Sequence, residues 1–165
     1  MGGFGILGWD SGRIGNDSWV DCHSIALPSI SCTIVTMEMV ADTNIFLAVV
    51  LDESEKSRII QLTAGATVMA PEILPYEIGN ALSAMVKRRR LCHAEALRAE
   101  HSAMQIPVRR VEIEIRAALQ IALTHSIYAY DAYFLQCALA LSRPLLTLDQ
   151  QMQQVAREVG IQILE

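Results

Sequence analysis

The chain has 165 residues, 52% of them apolar and 19% charged, a balance that suits one domain with a full core and excludes a disordered or fibrous chain. No stretch approaches the roughly 18–20 uninterrupted apolar residues of a membrane span, so a soluble protein is expected. The net charge of −5 argues against a nucleic-acid ligand only if the acids are spread evenly, so their distribution matters more than their sum.

Residues 1–36 differ from the rest: six glycines fall within the first 15 residues, followed by polar and apolar residues without period. The basic start and continuous apolar centre of a secretory signal are missing. Met37 or Met39 would make a natural start, and the leader reads as an upstream extension or start-site artefact without its own core. Trp9, Trp19 and Ile25 are its residues best suited to pack on a domain. The cysteines (Cys22, Cys32, Cys92, Cys137) have neither C-x-x-C pairing nor zinc-site spacing, and read as reduced structural thiols of a cytoplasmic protein.

From Met37 onward, short apolar runs alternate with helical patterns. Strands are expected at Met39 to Ala41, Thr67 to Ala70, Ile106 to Val111, Leu145 to Leu148 and Ile161 to Leu164. Leu74, Ile78, Leu82 and Met85 recur at helical spacing, with Pro75 tolerable in the first turn. Three further faces follow: Ala94, Leu97, His101 and Met104; Ile115, Ala118, Leu119 and Ala122; Tyr130, Phe134, Cys137 and Leu141. Met152, Val155 and Val159 form the last, and Gly65 and Gly160 sit where helices should end. Strands alternating with helices imply an α/β fold: a parallel sheet between two helical layers. Pro107 cannot donate to a ladder, which makes the third strand an edge.

In such a sheet, ligands bind beyond the carboxyl ends of the strands, where the strand order reverses. Asp42 directly follows the first strand and Asp149 the fourth; if those strands are neighbours, both carboxylates reach one rim. Glu77 and Asp131 lie near the starts of helices that open on the same rim. Each acid has a plainer reading. Asp42, Asn44 or Asp149 would cap a helix, and Glu77 and Asp131 would be solvated helix residues. Four acids at one pole would repel without a cation, which strengthens the set over its members. Without those four, twelve Lys/Arg from Met37 onward face eleven Asp/Glu, so the remaining surface is near neutral, with one dense basic run, Lys87, Arg88, Arg89 and Arg90. That run suits either a helix C-terminus or an RNA backbone.

The ordered pieces Ala41-Asp42-Thr43-Asn44, Leu74-Pro75-Tyr76-Glu77-Ile78-Gly79-Asn80-Ala81-Leu82, Tyr130-Asp131-Ala132 and Leu146-Thr147-Leu148-Asp149 resemble the PIN-domain family across residues 37–165. In length and in its Pro-x-Glu-x-x-Asn-Ala-Leu segment the chain looks most like the VapC-type toxins of toxin–antitoxin pairs. The resemblance implies a three-layer α/β/α domain whose five parallel strands run in the order 3-2-1-4-5. It implies Asp42, Glu77 and Asp131 as principal acids, Asp149 as the fourth, and Thr43 or Asn44 and Thr147 as groups that orient carboxylate or water. It further implies RNA hydrolysis to a 5′-phosphate and a 3′-hydroxyl, an antitoxin partner and a homodimer. Mg²⁺ or Mn²⁺, hard cations that prefer carboxylate and water oxygen, suit these acids.

Other chemistries fit less well. Ser83, Ser126 and Ser142 lack a glycine elbow and a partner base, and His93, His101 and His125 read as helix-surface or core residues. Tyr128, Tyr130 and Tyr133 are candidates to stack on a base, although Tyr130 sits in an apolar stripe that favours the core. A haloacid-dehalogenase-like phosphatase needs a second Asp where this chain has Asn44, and a receiver domain needs paired acids after its first strand. A PIN-fold protein serving as a non-catalytic binding or regulatory module remains the alternative from another class. The leader contributes none of the four acids. A chain beginning at Met37 is therefore expected to fold and keep metal-dependent cleavage; an inactive truncation beside an active full chain would refute this.

Overall fold

The structure, a computed structural model, describes residues 36–165. The expectations for the leader, with Trp9, Trp19, Ile25, Cys22 and Cys32, lie outside the described residues. Five strands, β1 (Glu38–Ala41), β2 (Thr67–Pro71), β3 (Arg109–Val111), β4 (Leu145–Leu146) and β5 (Ile163–Leu164), pair in parallel in the order β3-β2-β1-β4-β5. Between β1 and β2 run α1 (Thr43–Val50) and α2 (Lys56–Thr63); between β2 and β3 run α3 (Leu74–Lys87) and α4 (His93–Met104). The chain then returns through α5 (Ile115–His125) and α6 (Ala129–Leu141) to β4, and through α7 (Gln150–Glu158) to β5. Helix α1 packs on α2, α3 and α4, and α6 packs on α5, α7 and the strands β1, β2 and β4. Right-handed crossovers put these two groups on opposite faces of the sheet, because the chain reverses direction after β3. The expected α/β/α architecture and strand order hold.

Three strands are shorter than expected, each for a local reason. Pro107 precedes β3 instead of lying within it, and pairing with β2 begins at Arg109, opposite Met69. β3 is nonetheless an edge strand. β4 stops at Leu146 because the Thr147 carbonyl accepts from the Gln153 side chain instead of from a neighbouring strand. β5 starts late because the Ile161 N–H still closes the end of α7, donating to the Ala156 carbonyl at 2.8 Å. Gly65 and Gly160 adopt the left-handed backbone (φ 72° and 81°) that stops α2 and α7. Ser126 and Ser142 take the same conformation after α5 and α6 without glycine's freedom.

The core runs through the sheet and the inner faces of the helices. Leu74, Ile78 and Leu82 of α3 and Met152 and Val155 of α7 are buried as their spacing requires. The faces of α4 and α5 follow expectation only in part, with Met104, Ala118 and Ala122 turned inward as expected. α4 buries Ala99 and Ala103, leaving Leu97 and His101 in solvent; α5 buries Ala118 and Ala122, leaving Ile115 and Leu119 exposed. Small residues allow close helix approach, so alanines are the fully buried positions, with Met104 and Ile121 packed partly buried against the core. On α6, Phe134 and Cys137 are buried, but Tyr130 is exposed, against its expected place in the core. Among the described residues no helix is long and apolar enough to cross a membrane. Leu135 and Leu97 offer a matched comparison, at 0% and 71% exposure. Leu135→Ala should cost about 2–5 kcal/mol in denaturant unfolding and Leu97→Ala no more than about 0.5 kcal/mol. Similar losses at both positions would contradict this packing.

Candidate active site

The strand order reverses between β1 and β4, and Asp42 and Thr147 follow those two strands at the reversal. The Asp42 N–H donates to the Leu146 carbonyl at 3.0 Å, which carries the pairing one residue past β1. The Thr147 hydroxyl then donates to Asp42 Oδ2 at 2.9 Å, and the Thr43 N–H donates to Asp42 Oδ1 at 2.6 Å. Asp42 thus caps α1 as the plainer reading expected, while remaining at the reversal point. Thr43 turns its hydroxyl the other way and donates to Glu77 Oε2 at 2.6 Å. Asn44 bridges the strand ends: its amide nitrogen donates to Thr147 Oγ1 at 3.3 Å and its oxygen accepts from the Leu148 N–H at 3.2 Å.

Asp149 stands two residues beyond Thr147 and caps α7, accepting from the Met152 N–H at 2.7 Å, so its capping role is real as well. Asp131 lies in the first turn of α6 and Glu77 in the first turn of α3. Gln153, which pattern reading passed over, donates to the Thr147 carbonyl at 2.9 Å and steadies the loop between Thr147 and Asp149. Its only sequence signal was a place in the first turns of the last helix.

Electrostatics ties the acids together. Asp42, 4% exposed, has its carboxyl pushed up to about 7, chiefly by burial and further by Glu77 and Asp131; the Thr147 and Thr43 hydrogen bonds oppose the rise. Glu77 is raised by burial and by Asp131, against the Thr43 hydroxyl, and Asp131 is raised by burial and by Asp149. None of the four acids has a Lys, Arg or His ion-pair partner among the described residues. Among the same residues, no three Asp, Glu, His or Cys side chains stand close enough to enclose an ion by themselves. Mg²⁺ needs only one or two carboxylates and keeps waters at its other positions. An all-oxygen set of mutually repelling carboxylates fits such a cation.

The other candidates lie elsewhere. Lys87 ends α3 and Arg88 to Arg90 follow it, about 15 Å along the helix from Glu77 at 1.5 Å per residue. His93 and His101 are exposed on α4, and His125 Nδ1 lies 3.1 Å from Glu158 Oε2. Tyr128 and Tyr130 are exposed, and Tyr130 meets Tyr133 edge to face at 6.0 Å. Cys92 and Cys137 are free thiols, and burial pushes the Cys137 thiol up to about 11, leaving it unreactive.

A parallel sheet of this order with acids gathered at its reversal point defines a class of α/β/α domains. The sequence model of the PIN domain matches residues 39–158, and the chain belongs to the PIN domain family. Solved structures of similar fold include PAE2754 from Pyrobaculum aerophilum, at 20% identity and a TM-score of 0.56, covering 72% of this chain and 79% of that one. VapBC2 from Rickettsia felis bound to a DNA fragment from its promoter matches at 14% identity and a TM-score of 0.53, covering 78% of this chain and 98% of that one. At these identities the likeness is one of fold. No curated protein matches the chain.

The raised carboxyls make stability depend on pH. Asp42 binds a proton more tightly folded than unfolded, so without metal the fold loses stability as pH rises from about 4 to about 7, and Glu77 and Asp131 act in the same direction. In EDTA the wild type should melt lower at pH 7.5 than at pH 5.5. Asp42→Asn, which keeps the cap and removes the charge, should melt no lower than wild type at pH 7.5 and show a flatter profile. A wild-type melting temperature that rises over this interval would contradict the carboxylate repulsion.

Proposed function

We propose that this protein is a metal-dependent ribonuclease that hydrolyses RNA phosphodiester bonds, the toxin of a toxin–antitoxin pair acting in the cytoplasm. PIN domains are generally nucleases that use divalent metal ions, and the chain belongs to that family. The observation that carries the reading is the placement of Asp42, Glu77, Asp131 and Asp149 at the sheet reversal and at the helix starts beside it, without a cationic side chain paired to them among the described residues. The neighbour VapBC2 is a complex bound to promoter DNA, which supports an antitoxin partner for this chain.

In this mechanism Asp42, Glu77, Asp131 and Asp149 would hold Mg²⁺ or Mn²⁺. A bound cation lowers the pKa of its water and offsets charge building on the phosphate. The protein's own task is orientation. Thr147 and the Thr43 N–H fix both oxygens of Asp42, the Thr43 hydroxyl fixes one oxygen of Glu77, and Asn44 and Gln153 hold the Thr147 loop in place. Lys87 to Arg90, well away from these acids, would meet the backbone of the same RNA some nucleotides away, and the protein would act as a homodimer.

A second reading, a non-catalytic PIN-fold binding module, draws on the absence of a tight three-residue ligand cluster among the described residues. Cleavage of RNA and single-stranded DNA with and without Mn²⁺ separates the two. The nuclease reading expects RNA cleavage only with metal and a higher melting temperature in Mn²⁺, from about 2.7 kcal/mol of added stability at 100-fold excess over Kd. Asp42→Asn should abolish cleavage, and Thr147→Val should reduce it roughly 10–100-fold, as loss of a group that orients a ligand does. No Mn²⁺ effect on melting, together with RNA cleavage by Asp42→Asn, would overturn the assignment.

A further inference from the structure

Beside the acidic rim, toward β3, a cleft of about 340 Å³ opens among the ends of β2 and β3 and helices α3, α5 and α6. Tyr76 and Tyr133 line it together with three isoleucines, among them Ile113, and the carboxylate residues Glu72 and Glu112. The cleft lies at the same end of the sheet as the candidate metal site, since Glu72 directly follows β2 and Glu112 directly follows β3, at the carboxyl ends of those strands. The Glu72 N–H donates to the Val111 carbonyl at 3.2 Å, which holds the ends of β2 and β3 together and sets Glu72 and Glu112 at the same opening. Neither glutamate has an ion-pair partner among the described residues. Tyr76 is exposed, while Tyr133 is half-buried and braced by the edge of Tyr130.

Two aromatic rings and an apolar wall suit a flat, unstacked base, which stacks favourably on such rings. The two carboxylates repel phosphate, so the cleft selects the base and not its backbone. A carboxylate only accepts hydrogen bonds and pairs best with two adjacent donors. Guanine alone among the four RNA bases presents such a pair, N1–H and N2–H, on its Watson–Crick edge. Uracil presents a single N–H between two carbonyl oxygens, which a carboxylate repels. We propose that this cleft takes an unstacked guanine of single-stranded RNA beside the cleaved phosphate, with Glu72 and Glu112 reading its donor edge. The substrate specificity rests on the nuclease reading; the base site itself is testable without cleavage.

Equilibrium dialysis of the full chain in EDTA against guanosine, adenosine, cytidine and uridine measures the site directly. Guanosine should bind at least about tenfold more tightly than uridine. The double change Glu72→Gln and Glu112→Gln, at two exposed positions, should remove most of that preference while leaving the melting curve intact. Tyr76→Ala should weaken all four nucleosides. Absence of guanosine binding, equal affinity for all four, or a double variant that keeps the preference would overturn the proposal. Metal-dependent RNA cleavage without guanosine binding removes the base site and leaves the nuclease reading standing. Guanosine binding by a protein that cuts nothing removes the nuclease reading and leaves the base site.

Discussion

The pairing of β1 with β4 organises everything at the rim. These strands are separated by more than a hundred residues, yet Ala41 lies opposite Leu146, so the residues that follow them, Asp42 and Thr147, meet beyond the ladder. The 2.9 Å hydrogen bond between those two side chains fixes one carboxylate, and Asn44 and Gln153 hold the threonine from either side. A shift of one residue in this register would turn the alternate side chains to the other face and separate the pair. The neighbouring elements then add Glu77 and Asp131 from helices on opposite faces of the sheet. No single element carries the site; the crossing of the chain does.

Such a rim works against the fold that holds it. Burial and like charge raise three of its carboxyls, so at neutral pH the native state retains groups it would be more stable without. The opposing stability comes from directly beneath, where Met39, Val40 and Ala41 of β1 are fully buried and lead straight into Asp42. Local rules are met along the strand and broken at its end, a common pattern where a surface is built for a ligand.

Helix packing shows how side-chain size redirects burial. In α4 and α5 the fully buried residues are alanines, with Met104 and Ile121 partly buried against the core, and Leu97, Ile115, Leu119 and Leu123 remain in solvent. Close approach over alanine preserves dispersion contact at the cost of leaving apolar area exposed. Helix α1 takes the opposite course: it meets α2, α3 and α4 and buries Ile45, Phe46 and Ala48 with little polar face at all.

Much of the arrangement was legible in the residues themselves. Alternating apolar runs and helical periods indicated a parallel sheet between helices, Gly65 and Gly160 marked two helix ends, and the faces of α3 and α7 followed from Leu74, Ile78, Leu82, Met152 and Val155. Position after strands and at helix starts singled out Asp42, Glu77, Asp131 and Asp149, and the order of the motifs carried the family. Helix α1 showed no usable period because it is apolar nearly all round, and the inward turn of α4 and part of that of α5 were hidden because hydrophobicity alone ranks leucine above alanine. Tyr130 followed the same apolar pattern as Phe134 yet faces solvent, since neighbouring elements decide which side of a helix is covered. The motifs named Thr43 and Thr147 as groups that orient carboxylate, but their partners, Glu77 for the Thr43 hydroxyl and Asp42 for that of Thr147, and the cleft beside Tyr76 and Tyr133 belonged to the tertiary structure alone. A sequence states which groups can bond and how often they recur, but contacts across 34 or 105 residues exist only once strand order and register have been chosen.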